Sequence, residues 1–396
     1  MRVALIADAY PPMRTSAAVQ LRDLSREFVR QGHDVTMIVP SSAMAKHWEI
    51  EYLDSVQVLR LKAPKTKDIG YVKRTIGEFL MSDIMLRNFR KSPLGKQLWD
   101  GVVWYSPSIF LGKIAHTLKK SSRCRSYLIV RDLFPEWAVD MQLMGKGIPY
   151  LFFKAIASYQ YHVADVIGVQ SQGNLSFFSK WTEKTTRHVE VLQNWLSEGT
   201  HAKSRIRIEE TSLARRKIFV YAGNMGVAQG IDILLDLVER MKPRIDIGFL
   251  FVGRGSDAQR LRDEITLRDL SNALFFEEID PDEIPDLYAQ CHVGLVALDH
   301  RHKTHNVPGK YLSYMQNGLP VLAMINPGND LVKLINDDNV GRVCTDASVD
   351  TVMSLAEELV AELESDRGIV IRCKTQADKI FSTEVAVQQI SLALRS

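Results

Sequence analysis

The sequence predicts an α/β chain of two doubly wound domains, and three observations predict it. Apolar runs of strand length alternate with amphipathic helix patterns from the first residues onward. A polar, weakly periodic stretch from Ser197 to Arg216 interrupts the alternation, which then restarts. With 396 residues at 46% apolar composition, the chain also exceeds the roughly 250–300 residues at which one core divides.

Taken in order, VALIADAY reads as a buried first strand, PPMRTSAA as a loop, and QLRDLSREFVRQGHDV as a helix closed by Gly32 before the strand VTMIVP. GVVWYS, ending at Pro107, and SYLIVRDLFP read as further strands around the helix LGKIAHTLKK; VADVIGVQSQ and HVEVLQN complete a parallel sheet. The second half repeats the grammar with KIFVYAG, GIDILLDLVERMK, IGFLFVGRGS, AQRLRDEITL, ALFFEE, EIPDLYAQ, VGLVALD, KYLSYMQN, LPVLAMI and VGRVCT. The expected organisation is residues 1–196, then 197–375, then a terminal helix over 376–396 that either caps the second domain or crosses back to the first. Two such sheets facing a cleft would bind ligands beyond the carboxyl ends of their strands.

Charge divides along the same line. Residues 1–195 carry 27 basic and 17 acidic side chains, and the remainder 23 and 30. The first half is thus basic by ten, which suits either an anionic surface, polymer or substrate, or simply a solvated face. Residues 60–96 concentrate ten basic and three acidic side chains, with Val72, Ile76, Phe79, Leu80 and Ile84 near helical spacing. That stripe either packs on its own domain or lies on an anionic membrane. Cys124, Cys291, Cys344 and Cys373 are too far apart for a zinc site or disulfide framework, so reduced thiols and a cytoplasmic location are expected. The N-terminal run breaks at Pro11-Pro12 without a cleavage pattern, and no apolar segment approaches membrane-spanning length. No nucleic-acid partner and no metal are expected.

Several stretches could carry chemistry. YAGNMGVAQG places Gly223 and Gly226 between a strand and a helix start, where backbone donors suit phosphate, although its spacing is neither GxGxxG nor a Walker loop. VGRGS, with Gly253 and Arg254, reads equally as a nucleotide contact or a tight turn. Glu283 lies in an acidic crossover that can simply bridge its unit. RHKTHNVPGK sets His305 and Lys310 beside a helix start, where cations stabilise a diphosphate and no third ligand supports zinc. Near the N-terminus, Arg14, Thr15 and Ser16 either meet an anionic substrate or cap a helix. Arg131 and Asp132 stand at a strand end, where Asp132 either aligns or deprotonates an acceptor hydroxyl or caps a turn.

In their order, YPPMRTSAAVQLRDLSREFVRQGHDVTMIVP, VRDLFPEWAVD, YAGNMGVAQGIDILL, FVGRGS, LYAQCHVGLVAL and VPGKYLSYMQNGLPV resemble a retaining family-4 glycosyltransferase of GT-B architecture. The likeness is to the bacterial amino-sugar transferase group that includes L-fucosamine transferases, and it covers nearly the whole chain. It implies two Rossmann-like domains. The donor, a nucleotide-diphosphate sugar with UDP favoured and no cofactor required, would border Gly223, Asn224, Gln229, Gly253, Arg254, Glu283, His305, Pro308, Gly309, Lys310 and Ser313.

Catalysis is expected of Asp132 and Lys310, and an acceptor side of Arg14, Thr15, Ser16 and Arg131. The implied acceptor is an undecaprenyl-diphosphate-linked saccharide, met at the cytoplasmic face of the inner membrane through the basic first domain. The alternatives are a nucleotide-sugar epimerase or hydrolase, or a sugar-nucleotide-binding scaffold without catalysis. The chain departs from the family pattern where the E-x7-E pair would fall, because His305 and Ser313 stand there. Asn224 and Gln229 replace a common basic pair, Thr15-Ser16-Ala17 replaces a glycine pair, and no histidine accompanies Arg131-Asp132. Ser313 keeps hydrogen-bonding capacity but not the stronger carboxylate interaction.

Overall fold

A computed structural model describes residues 1–13, 15–67, 69–182, 187–197, 202–226, 229–299 and 307–395. The chain forms two compact units, Met1–Trp195 with Thr383–Ser396, and Leu196–Ser382. The first unit is built from β1 (Arg2–Ile6), α1 (Ser16–Arg30), β2 (Asp34–Ser41), β3 (Trp48–Leu53), β4 (Val56–Lys62), α2 (Tyr71–Phe89), β5 (Gly101–Tyr105) and α3 (Gly112–Ser122). It continues through β6 (Arg125–Val130), α4 (Glu136–Asp140), α5 (Ile148–Val163), β7 (Val166–Val169), α6 (Gln172–Leu175), α7 (Ser179–Thr182) and β8 (His188–Val191).

The second unit holds β9 (Lys217–Ala222), α8 (Ile231–Arg240), β10 (Ile247–Val252), α9 (Ala258–Leu267), β11 (Ala273–Phe276), α10 (Ile284–Tyr288) and β12 (Val293–Ala297). After these come α11 (Gly309–Gln316), β13 (Val321–Met324), α12 (Asp330–Asp337), β14 (Gly341–Cys344), α13 (Val349–Ser365) and α14 (Gly368–Ile380). The last helix, α15 (Thr383–Arg395), belongs to the first unit, where Val387, Ile390 and Leu394 share a core with Leu21, Leu24 and Phe28 of α1.

The first sheet runs β3-β4-β2-β1-β5-β6-β7-β8, parallel throughout except for β3 against β4. The second runs β11-β10-β9-β12-β13-β14, and its strand pairs are all parallel. Their central strands are buried on both faces, which is why they read as near-continuous apolar runs. In each sheet the order reverses beside the first strand, between β1 and β5 and between β9 and β12, so each has a switch point at its carboxyl edge.

The β3–β4 hairpin was not evident from the sequence pattern. It turns through Asp54 and Ser55, both at positive φ, with no glycine to announce it. A second difference concerns α2. Its core face is Gly77, Met81, Met85, Leu86 and Phe89, whereas Val72, Ile76, Phe79 and Leu80 point outward. No helix among the described residues is long and apolar enough to cross a membrane.

Candidate active site

In the second unit the candidate site begins where β9 and β12 part. They pair only at Phe219↔Val293 and Val220↔Gly294, although both strands continue further. Tyr314 of α11 enters this fork. Its hydroxyl accepts from the Ala222 N–H at 3.3 Å, donates to Val220 O at 3.0 Å, and lies 3.3 Å from Leu295 O. A Cβ at Gly294 would stand 2.5 Å from the Tyr314 ring, so that strand position has room for glycine alone. One phenol therefore replaces the missing ladder bonds and fixes α11 against the fork.

That placement carries Lys310, on the first turn of α11, over the β9 loop. Its ammonium lies 3.3 Å from the centroid of the Tyr221 ring and donates to Gln229 Oε1 at 3.4 Å. Its side chain also passes Gly223, whose added Cβ would meet Lys310 Cε at 3.8 Å. Tyr221 holds the loop in turn, with its hydroxyl 2.9 Å from Asn224 O and 3.1 Å from Gln229 Oε1. Burial pushes the Lys310 pKa well below the usual lysine value. Among the described residues no carboxylate pairs with it. Among the described residues neither α11 nor α8 has a side-chain N-cap, and the first-turn N–H groups of both helices lie beside these loops.

Gly253 and Gly255 serve the loop from behind. An added Cβ at Gly253 would lie 2.0 Å from Gly223 O, and one at Gly255 2.2 Å from Met225 O. The two loops cross backbone on backbone, with Met225 N donating to Arg254 O at 2.8 Å and Asp257 N to Met225 O at 2.9 Å.

Of the other expected donor-side residues, Glu283 and Arg254 are held by partners away from Lys310. Glu283 gives its carboxylate to Arg205, accepting from the guanidinium at 2.6 Å and from the Arg205 N–H at 2.7 Å. Those bonds hold its pKa at about 2 and tie the segment before β9 to the start of α10. Arg254 pairs with Glu278 at 3.0 Å in solvent. Ser313 is half-buried one turn further along α11, and Gly309 and Pro308 form the start of that helix. His305 and Arg14 lie outside the described residues.

In the first unit, Thr15 caps α1 by accepting from Ala18 N at 3.3 Å, and Ser16 is the first exposed residue of that helix. Arg131, expected to meet an acceptor, is instead turned inward. Its guanidinium lies 4.3 Å from the Trp195 ring centroid and donates to Leu192 O at 3.0 Å, because the strand end that carries it is covered by the segment after β8. Asp132 stays partly exposed at the carboxyl end of β6.

Asp8, which the sequence pattern did not single out, follows β1 at the switch point. Burial raises its pKa against the opposing pull of Lys67 and Arg74. Tyr105 of β5 has its pKa raised to about 12 mainly by burial, with the charges of Asp132 and Asp8 contributing, and its hydroxyl donates to Gln20 Oε1 at 2.9 Å. The missed signal was available: Asp8 is a carboxylate that closes the apolar run VALIA at the end of the first strand. Among the described residues no three His, Cys, Asp or Glu side chains are grouped to hold a metal ion.

Residues 216–364 match the family described as "Glycosyl transferases group 1". Over 274 residues the chain is 23% identical to the probable glycosyltransferase WbjE of Pseudomonas aeruginosa, covering 68% of this chain and 67% of that protein. The chain is a glycosyltransferase of GT-B fold. This glycosyltransferase is also 22% identical over 320 residues to the putative colanic acid biosynthesis glycosyl transferase WcaI of Escherichia coli K12, covering 74% and 76% of the two chains. In fold it is similar to sucrose-phosphate synthase from Thermosynechococcus elongatus, with a TM-score of 0.75, 14% identity, and 100% and 98% coverage. HepE of Anabaena, solved with UDP and glucose, superposes at a TM-score of 0.68 with 13% identity and 99% coverage of each chain.

Proposed function

We propose that this glycosyltransferase moves an N-acetylated deoxy-amino sugar from a nucleotide diphosphate, UDP by preference, to a lipid-diphosphate-linked saccharide. The transfer retains anomeric configuration and serves bacterial O-antigen, capsule or lipopolysaccharide synthesis at the cytoplasmic face of the inner membrane. One observation carries the donor reading. Lys310 is an enclosed cation at the switch point, held by an aromatic ring and an amide oxygen, with no carboxylate among the described residues to neutralise it. A diphosphate supplies the missing charge, and the first N–H groups of α11 and α8 add donors. The structures of HepE with UDP and with UDP-glucose, the name of WcaI and the lipopolysaccharide role given for WaaG support the donor class and setting.

In this reading Lys310 and the α11 start stabilise charge that grows on the departing diphosphate. Asp132 orients the acceptor hydroxyl, whose proton passes to the leaving phosphate. Replacement of Lys310 by Ala is expected to lower turnover by about 10²–10³-fold while nucleoside binding changes little. The test is a calorimetric panel of nucleotide sugars followed by mass spectrometry of a lipid-linked acceptor reaction. Near-native turnover in folded Lys310→Ala would overturn the role of Lys310. Binding without transfer across several acceptors would overturn catalysis in favour of a scaffold.

A further inference from the structure

The outward face of α2 and α5 is apolar where a surface helix is ordinarily polar. On α2 the exposed residues are Tyr71, at 87%, with Val72, Ile76, Phe79 and Leu80; on α5 they are Ile148, at 83%, Leu151 and Phe152. The rings of Phe79 and Phe152 meet at 5.9 Å between centroids, so the two faces form one surface. Both helices bury their later turns, through Met85, Leu86 and Phe89 on α2 and Ala157, Tyr161 and Val163 on α5. Apart from Tyr159 on α5, the exposed apolar side chains of both helices therefore lie in their first halves. Scattered apolar side chains are ordinary on a protein surface, but a joined patch is not.

The topology fixes which edge this is. Both helices are crossovers between parallel strands, β4 to β5 and β6 to β7, so both start at the carboxyl edge of the sheet. A chain of rings then leads from the patch to the candidate acceptor loop. Phe152 meets Phe153 at 5.3 Å, and Phe153 meets Phe134 at 5.2 Å, two residues beyond Asp132. The surrounding charge is mostly basic, since on α2 Glu78 is paired with Arg74 and Asp83 with Lys113. Lys65, Lys67 and Lys73 flank the start of α2, and the exposed Lys146 precedes α5. From Gln142 to Gln160 there are two lysines and no acidic residue.

We propose that the first halves of α2 and α5 form a docking face for an anionic lipid bilayer. Tyr71, Val72, Ile76, Ile148 and Leu151 enter the interface while the flanking lysines meet the headgroups. The proposal rests on the lipid-linked acceptor reading above and adds the surface that would meet the lipid, beside the loop of Asp132. An apolar face ringed by lysines fits a surface that is greasy beneath and negative at its rim; a second copy of the same face would bring lysines against lysines.

The test is co-sedimentation of the full chain with phosphatidylglycerol–phosphatidylethanolamine vesicles and with phosphatidylcholine vesicles. Wild type is compared with Ile76→Glu/Val72→Glu, Ile148→Glu/Leu151→Glu and Lys73→Glu/Lys146→Glu, and with Ile245→Glu/Leu267→Glu in the second unit as a surface control. The face variants and the lysine variant are expected to lose about tenfold or more of binding to anionic vesicles. The control should bind as wild type, and all should melt as wild type, since every altered side chain is exposed. Equal binding by wild type and the face variants would overturn the proposal. So would failure of wild type to bind anionic vesicles, and self-association that the face variants abolish would then assign the face to a second copy of the chain. UDP binding by the same variants is measured without vesicles, so a failure of the donor reading is seen separately from a failure of the lipid face.

Discussion

Lys310 has a protonation state that its surroundings leave unsettled until an anion arrives. Its ammonium is enclosed against Tyr221 and Gln229, and burial depresses its pKa below 10.5. The unfolded chain keeps that lysine charged up to the ordinary value. Between the depressed pKa and 10.5 the unfolded state therefore binds more protons, and this residue makes folding more favourable as pH rises. Anion binding runs the other way. UDP affinity should fall by up to about tenfold per pH unit once Lys310 begins to deprotonate, with proton uptake visible by calorimetry in buffers of different ionisation enthalpy. Lys310→Arg, which stays charged, should flatten that profile. At Asp8 the shift has the opposite sign: burial raises the carboxyl pKa, so its ionisation opposes folding above that value. Asp8→Asn is expected to raise the melting temperature of the first unit at neutral pH. If Asp8 serves the acceptor, the same variant loses turnover, and comparing melting with kcat separates the two roles. Asp132→Asn and Asp132→Ala with equal, near-native kcat would exclude an ionised group there.

At the scale of the element, the site depends on how α11 is wedged into the fork of β9 and β12. Tyr314→Phe removes one oxygen that serves Ala222 N and Val220 O, and should cost about 1–3 kcal/mol by chemical denaturation. UDP binding should weaken with it, because Lys310 rides on the same helix. Gly253→Ala places a Cβ against Gly223 O at a backbone φ of 152°, and is expected to cost about 3 kcal/mol or more and to displace the donor loop. The sequence pattern located both glycine loops and the α11 helix with their order. It left open whether Gly253 touches a ligand, and the crossing loops supply a reason for glycine that involves no ligand. Thr15 caps α1, and Glu283 pairs with Arg205. At Gly253 and Glu283 the residue type suited two roles, and the neighbour that meets it is distant in the chain. Arg205 is 78 residues from Glu283, and Tyr314 is 94 from the carbonyl it bridges.

At the scale of the molecule, the chain passes between its units at Trp195–Leu196 and at Ser382–Thr383, and Leu196 N donates to Phe381 O at 3.1 Å where the two passages run side by side. The first unit thus depends on a helix made nearly two hundred residues after its last strand. Deletion of α15 would expose the face that Val387, Ile390 and Leu394 cover, a loss of roughly 5–9 kcal/mol. That is comparable to the whole stability of a domain. Calorimetry of a chain ending at Ser382 should show the first unit unfolded and the second melting near its original temperature. By itself the sequence determined the α/β class, the restart of the alternation, the basic surplus of the first half and the loops that carry the donor candidates. Those features are written in local periodicity and composition, which short stretches of chain express without help from elsewhere. Only the tertiary structure decided that α2 turns its Val72–Ile76–Phe79–Leu80 stripe outward, that Arg131 faces inward, that burial raises the pKa of Asp8 after β1, and that Lys310 rests on Tyr221. Periodicity shows that a helix has two faces; which one is covered depends on the elements packed against it.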